Sequence, residues 1–374
     1  MWIQQVSLGW LTYEVTNSAF MLGAVNGLRS LPLLLLGPFG GVAADRLDRR
    51  QLMFVTQMYL MTVTAVFATV VLLGYAAVWN IILFALLTGA GWAFNMPVRQ
   101  SIVPSVVPKA DLQNAIALNS AGFNMTRIIG PTAGGLLIAS VSIWGNFYLQ
   151  AAMYVGVAVM AWQLNLATGR RETKDTSVMR NLIDGARYVW GERQLRMQMT
   201  VALLPVLLAM PYVSLMPVFA KEELGVGAAA FGMLMAAPGV GAVLGTLALA
   251  GSTDVKRRGL LIFICLIGLG LSLVAFSQSR WLPVSLGLLV LTGGFQMVYM
   301  STNQTLLQLK TPDEYRGRVM GIYMLNHGLM PLGSLFAGLL AEYQGAPFAV
   351  TVMGGSVAAL ALVALATVRT LREA

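Results

Sequence analysis

A chain of 374 residues that is 57% hydrophobic and only 10% charged, with a mean hydropathy of +0.73, cannot cover a globular surface with polar groups. Its formal net charge of +9 sits on too apolar a background for a nucleic-acid partner and suits contact with anionic lipid instead. A single cysteine, Cys265, excludes a disulfide framework or a thiolate metal site, and neither a cofactor nor a metal is expected.

Largely apolar runs of about 18 residues or more mark membrane spans. In chain order they fall at 18–42, 52–73, 78–98, 115–141, 147–167, 197–219, 228–250, 259–276, 281–302, 319–341 and 346–368. The segment ahead of them, "MWIQQVSLGWLTYEVT", extends only about 24 Å at helical rise, short of the hydrocarbon core of about 30 Å. It lacks the basic start and cleavage site of a signal peptide. It reads as the outer part of a first helix truncated at its N-terminus, with a basic cytoplasmic stretch expected upstream. Together these segments predict an all-α membrane protein with twelve helices.

Orientation follows from the basic residues. If the end of the second span faces the cytoplasm, nineteen Lys and Arg fall in cytoplasmic segments, and only Lys221 and Arg280 fall outside. Arg29, Arg99 and Arg127 lie within or at the edge of spans. This asymmetry predicts a multi-pass protein of the inner (plasma) membrane with both termini on the cytoplasmic side.

The chain also repeats itself. "LTGAGWAFNMPVRQS" (87–101) returns as "LTGGFQMVYMSTNQT" (291–305), matching Thr88 with Thr292, Gly89 with Gly293, Met96 with Met300 and Gln100 with Gln304 at an offset of 204. The same register pairs Pro108 with Pro312 and Gly134 with Gly338. Duplication predicts two six-helix bundles related by a pseudo-two-fold axis, with a substrate site between them. The expected division is 1–168 for the N-terminal bundle, 169–196 for a cytoplasmic linker and 197–374 for the C-terminal bundle. Within the linker, Val178, Met179, Leu182, Ile183, Ala186, Val189 and Trp190 repeat at helical spacing, which predicts a short interfacial helix.

Ionisable and polar residues inside spans point to a pathway. Arg29 lies about 17 Å past Ser18 along the second span, with Asn26 three positions earlier on the same face. Arg127 shares a stripe of the fifth span with Ser120, Asn124, Pro131 and Gly134. Glu14, near the outer end of the first helix, is the only clearly embedded acid, so the pathway reads as net cationic and suited to an anionic substrate. The structural alternative makes Arg127 a helix brace. His327, the one histidine, either lines the pathway or packs. Glycines 239, 241 and 245 lie in an apolar span with no preceding strand, so they permit close helix packing and form no nucleotide loop.

Charge is concentrated in "GGVAADRLDRR" (40–50), where five of the six residues from Asp45 to Arg50 are charged. Gly41-x-x-x-Asp45-Arg46-x-x-Arg49-Arg50 resembles the signature loop of the major facilitator superfamily. "LPLLLLGPFGGVAADRLDRRQL", "NMPVRQSIVPSVVP", "NAIALNSAGFNMTRIIGPTAGGLL" and "TPDEYRGRVMGIYM" resemble its exporter branch similar to enterobactin and macrolide efflux proteins. The resemblance runs along essentially the whole chain.

It implies the major facilitator fold and a gate in which Asp45 faces the start of the eleventh helix near 316–320, with Arg99 as a further partner. "GPTAGG" resembles the core of the fifth-helix antiporter motif, which assigns Gly130, Pro131, Gly134 and Gly135 to helix packing. Thr126 and Ala117 stand where that motif has glycines, and the fourth span has no central arginine, so protons as coupling ion stay an open alternative. The expected protein is no enzyme. It is a monomeric secondary active transporter that exports a small amphipathic, siderophore- or drug-like molecule by alternating access. A lysophospholipid or other lipid transporter is the alternative, and a non-transporting membrane sensor ranks below both.

Overall fold

A backbone in hydrocarbon has no water to bond, so each span must satisfy its own N–H and C=O groups as a helix. The computed structural model describes residues 1–163, 178–251 and 257–367, and among them there is no strand. The first helices are α1 (Trp2–Thr16), α2 (Ala19–Arg46), α3 (Arg49–Leu72), α4 (Val78–Val106), α5 (Leu112–Ser140) and α6 (Ile143–Gln163). They are followed by α7 (Val178–Gly191), α8 (Arg193–Leu204), α9 (Met216–Val218), α10 (Ala228–Gly251), α11 (Arg258–Gln278) and α12 (Leu282–Lys310). The last are α13 (Asp313–His327), α14 (Met330–Gln344) and α15 (Ala346–Thr367).

Ten segments among the described residues are long and apolar enough to cross a membrane. The expected run 115–141 is not one of them. Its helix α5 has ample length, 29 residues, but Asn114, Asn119, Ser120, Asn124, Thr126 and Arg127 dilute its hydropathy. With α5 and the short α1 added, the described residues hold the twelve expected spans. The helices also start and stop for local reasons. Ser18 caps α2 by accepting from the Met21 N–H at 3.2 Å, and Asp48 caps α3 by accepting from the Gln51 N–H at 2.8 Å.

Two expected spans are less regular than their hydropathy suggests. The run near 319–341 is two helices, because α13 ends at Gly328 and α14 opens on Met330 and Pro331. Pro331 lacks an N–H, and its ring crowds the carbonyl four residues earlier, that of His327. The run near 197–219 belongs to a longer segment, Arg193–Glu223. There α8 passes at Pro205 into a π turn, a 3-10 stretch over Met210–Leu215, α9 and a second π turn. Pro205, Pro211 and Pro217 each delete a ladder donor, which explains the departures from α geometry.

Contacts divide the chain into two compact units: Met1–Lys174 with Gly227–Gly232, and Asp175–Val226 with Met233–Ala374. In the first, α2 packs on α4, α3 on α6 and α1 on α5. In the second, α11 packs on α15 and α12, α14 on α15 and α7 on α13. The linker helix α7 therefore goes with the second unit, and residues 169–177 lie outside the described residues.

Glycines set the closest approaches. A Cβ on Gly40 would run into the Ala93 carbonyl, and one on Gly89 into the Arg29 carbonyl, which fixes the α2–α4 crossing. In the second unit Gly241 meets Val290 and Gly294 in the same way, and Gly293 meets Pro238. Gly89 and Gly293, one repeat apart, thus both hold their helix against the backbone of its partner.

Candidate functional site

Arg29 lies on α2, where its backbone carbonyl abuts Gly89 of α4. Its Nη2 donates to Gln4 Oε1 at 3.3 Å. Together with Gln5, Leu8, Gly9, Thr12, Leu22, Val25 and Asn26 it lines a cavity of about 10 Å³, room for about one water. Asn26 spends its amide on the Leu22 carbonyl at 3.1 Å. Tyr154 of α6 is in electrostatic reach of the guanidinium, and its hydroxyl accepts from Gln150 Nε2 at 2.9 Å. Beside Tyr154 is Trp92. The Trp92 indole N–H is buried and shared with the Tyr154 hydroxyl, while Gln4 Nε2 is buried without a hydrogen-bond partner.

This is a site rich in donors. A guanidinium and an amide N–H converge from α2 and α1, the Trp92 indole N–H of α4 is shared with Tyr154, and Gln150 Oε1 is an unspent acceptor near them. Glu14, the embedded acid, is exposed at the last turn of α1. Buried donors left without acceptors cost roughly 1–3 kcal/mol each, so the arrangement favours an added acceptor at this point. Gln4, Trp92, Gln150 and Tyr154 escaped the reading of the sequence, because neutral polar residues in apolar runs look like ordinary filler until helices bring them together.

The charged loop after α2 is built into the first unit. Arg50 lies over the Trp162 ring of α6, 4.4 Å from its centroid, and Arg49 Nη1 donates to the Ser101 carbonyl of α4 at 3.4 Å. These two arginines thus tie the start of α3 to the ends of α4 and α6. Arg46 and Arg99 are exposed, and a Cβ on Gly41 would meet nothing within 4 Å. The tight glycine is its neighbour Gly40. The side chains of Asp45 and His327 lie outside the described residues. The backbone places Asp45 in the last turn of α2 and His327 at the end of α13, beside the helix break.

On α5, Arg127 sits over the Trp2 ring at 5.8 Å, and Phe123 lies against the same ring at 6.1 Å. Gly130 faces the Trp2 Cβ, and Gly134 faces Ile3 and Val6. A Cβ on Gly135 would come within 2.5 Å of the Ala228 carbonyl, inside the same unit, and Pro131 is buried beside them. Asn146 of α6, fully buried, donates to the Gly134 carbonyl at 2.7 Å. Asn124 is half-buried. Arg29 and Arg127 therefore have separate surroundings: Arg29 lies among polar groups, Arg127 on an aromatic ring between α1 and α5. Of the two basic residues outside the predicted cytoplasmic segments, Arg280 is paired with Glu223 at 3.0 Å.

In the second unit Gln198 of α8 donates to the carbonyl and Oδ1 of Asn303 on α12, at 3.0 and 3.1 Å. The Tyr299 hydroxyl and Thr302 Oγ1 are buried there without partners, and Asn303 also bonds the Tyr323 side chain. Among the described residues no group of His, Cys, Asp and Glu could hold a metal ion.

Comparison with known proteins adds an independent view. The model of the transmembrane secretion effector family matches residues 1–374. The chain is 27% identical over 370 residues to the staphyloferrin A transporter of Staphylococcus aureus (strain NCTC 8325 / PS 47), covering 97% of this chain and 91% of that protein. It is 27% identical over 352 residues to the multidrug efflux pump Tap of Mycolicibacterium fortuitum, covering 91% and 85%. Among solved structures, a mutant of the nucleoside transporter NupG superposes with a TM-score of 0.81 at 12% identity, covering 98% of this chain and 95% of that one. A bacterial homolog of the human lysosomal transporter Spinster, inward-facing and unoccupied, gives 0.76 at 15% identity, covering 99% and 96%.

Proposed function

The chain belongs to the transmembrane secretion effector family of major facilitator transporters, and on that premise we propose that it exports small amphipathic anions, siderophore- or drug-like, by alternating access. The observation that carries the anionic preference is the Arg29 site. Its guanidinium lies deep in a span, with the unspent N–H of Gln4 beside it. An embedded cation costs several kcal/mol unless hydrated or offset by a counter-charge. A passing carboxylate, catecholate or phosphate supplies that counter-charge, and a cationic drug does not. The names of two relatives, a staphyloferrin transporter and a multidrug pump, support export of amphipathic organic molecules as the general task.

In this reading Asp45, Arg46, Arg49, Arg50 and Arg99 form the gate on the basic side of the membrane. The Arg50–Trp162 and Arg49–Ser101 contacts hold the loop in register for it. Gly130, Pro131, Gly134 and Gly135 hold α5 in its packing. The substrate stands in for the missing acceptor near Arg29 and leaves when the helices around it rearrange. The test is uptake into inside-out vesicles of a matched panel of anionic, neutral and cationic amphiphiles. Anions should accumulate fastest at equal hydrophobicity. Accumulation of cations alone would overturn the reading.

A further inference from the structure

Two spans of the second unit, Arg193–Glu223 and Asp313–Gln344, are interrupted as helices. Contacts on either side put the two interruptions at one level. Ahead of them, Asn326 Nδ2 donates to Met199 Sδ at 3.9 Å. Beyond them, a Cβ on Gly333 would come within 2.5 Å of the Leu207 carbonyl and 2.7 Å of the Pro211 ring. Between these contacts α8 gives way to a π turn at Pro205, and α13 ends at Gly328 ahead of Pro331. Proline deletes a ladder donor at both places, and π or 3-10 geometry within a span marks a point where a helix bends.

Each side of the break has its own packing. Ahead of it, Val189 of α7, Leu195 and Met199 of α8, and Val319 and Tyr323 of α13 share one buried cluster. Beyond it, α14 packs on the irregular stretch Pro205–Leu215 and on α15. The unbroken helices α11, α12 and α15 run past both layers. Glycines lock them backbone to backbone: Gly270 of α11 meets the Gly354 carbonyl of α15, and Gly293 of α12 meets Pro238 of α10.

The seam between the broken and unbroken helices is polar. Asn303 of α12 accepts from Gln198 of α8 at 3.0 and 3.1 Å and bonds Tyr323 of α13. On the same helices Gln198 Oε1, the Tyr299 hydroxyl and Thr302 Oγ1 are buried without partners. Interdigitated apolar side chains resist sliding. Unspent amide and hydroxyl groups instead supply partners for a second register of α8 and α13 on α12.

We propose that α7, α8 and α13 move as one body against α11, α12 and α15, hinged at Pro205 and at Gly328–Pro331, so that the second unit bends internally during transport. The link to transport rests on the export reading above, whereas the hinge itself needs no assignment of substrate. Helix α13 has 15 residues, about 22 Å at helical rise. A change of about 15° at the break therefore carries its first turn through about 6 Å. Halves that only rock as rigid bodies keep every distance inside the unit constant.

The test places all probes inside the second unit of the full chain in lipid nanodiscs. Pulsed electron spin resonance reads the distance between nitroxides at Glu314 and Ala366, near the ends of α13 and α15, and between nitroxides at Glu314 and Trp190. The native thiol is removed by Cys265→Ala. Samples are frozen during turnover on an amphiphilic anion that the vesicle assay shows to be transported. Glu314–Ala366 should show two distances about 6 Å apart, and Glu314–Trp190, within the moving body, a single one. The double variant Gly328→Ala, Pro331→Ala restores a ladder donor and helix propensity. It should collapse the two distances to one and slow anionic and neutral amphiphiles alike by about tenfold, with the melting temperature kept or raised. Pro205→Ala, at the other break, gives the same readout if the double variant fails to reach the membrane. A single Glu314–Ala366 distance during turnover, or parental transport by a straightened variant, would overturn the proposal. Loss of the anionic preference would leave these distances as they are, so the hinge and the charge selection fail separately.

Discussion

Replacing Arg29 with methionine isolates charge from bulk at a cation inside a span of the first unit. Methionine keeps an unbranched apolar stem, so the α2–α4 crossing at Gly89, which rests on the Arg29 backbone carbonyl, is untouched. The structural loss is one hydrogen bond to Gln4, long at 3.3 Å, which contributes about 0.5–1 kcal/mol at most. The functional loss is larger. A hydrogen bond from a charged donor to a substrate anion contributes about 1.5–3 kcal/mol, or roughly a ten- to 150-fold change at about 1.4 kcal/mol per factor of ten. A half-buried guanidinium with a water-sized cavity beside it belongs at the lower end. We therefore expect transport of an anionic amphiphile to fall about tenfold relative to a neutral one of equal size. The assay is the ratio of the two uptake rates in inside-out vesicles, normalised to protein in the membrane. Normalising to the neutral compound removes effects on folding, insertion and turnover. An unchanged ratio would refute the reasoning, because it would make Arg29 a structural donor to Gln4 alone.

Gly89→Ala and Gly293→Ala should each lower the unfolding temperature in detergent, at a cost of about 1–3 kcal/mol from overpacking, whereas Gly41→Ala, facing open space, should be neutral. Arg50→Gln and Trp162→Ala should lose the same contact, so a double-mutant cycle on thermal stability should return a coupling of about 0.5–2 kcal/mol; no coupling would mean the stacking is incidental. Asp45→Asn should reduce transport at equal membrane expression, since it removes charge and little volume, and parental rates in that variant would remove Asp45 from the gate.

Hydropathy, basic-residue asymmetry and a fixed internal register were enough to predict an all-helical membrane protein of two repeated halves, because the bilayer leaves a polar backbone so few alternatives, and the resemblance of the charged loop implied the major facilitator fold. The same signals marked α5 even though its polar face lowers its hydropathy below that of a simple span, and they passed over the break between α13 and α14 that Gly328 and Pro331 announce locally. They singled out Arg29 and Arg127 alike, since both are cations inside spans. Only packing separates them: Arg127 lies over Trp2, while Arg29 meets Gln4, Tyr154 and the polar groups of α1, α4 and α6. Likewise the sequence marks α7 as an amphipathic linker helix, but its docking on α13 depends on Tyr188, Gly185 and Val189 meeting residues more than a hundred positions away. The periodicity of one segment reports which face avoids water. Which neighbour covers that face, and what chemistry the two then share, is settled only when distant helices come into contact.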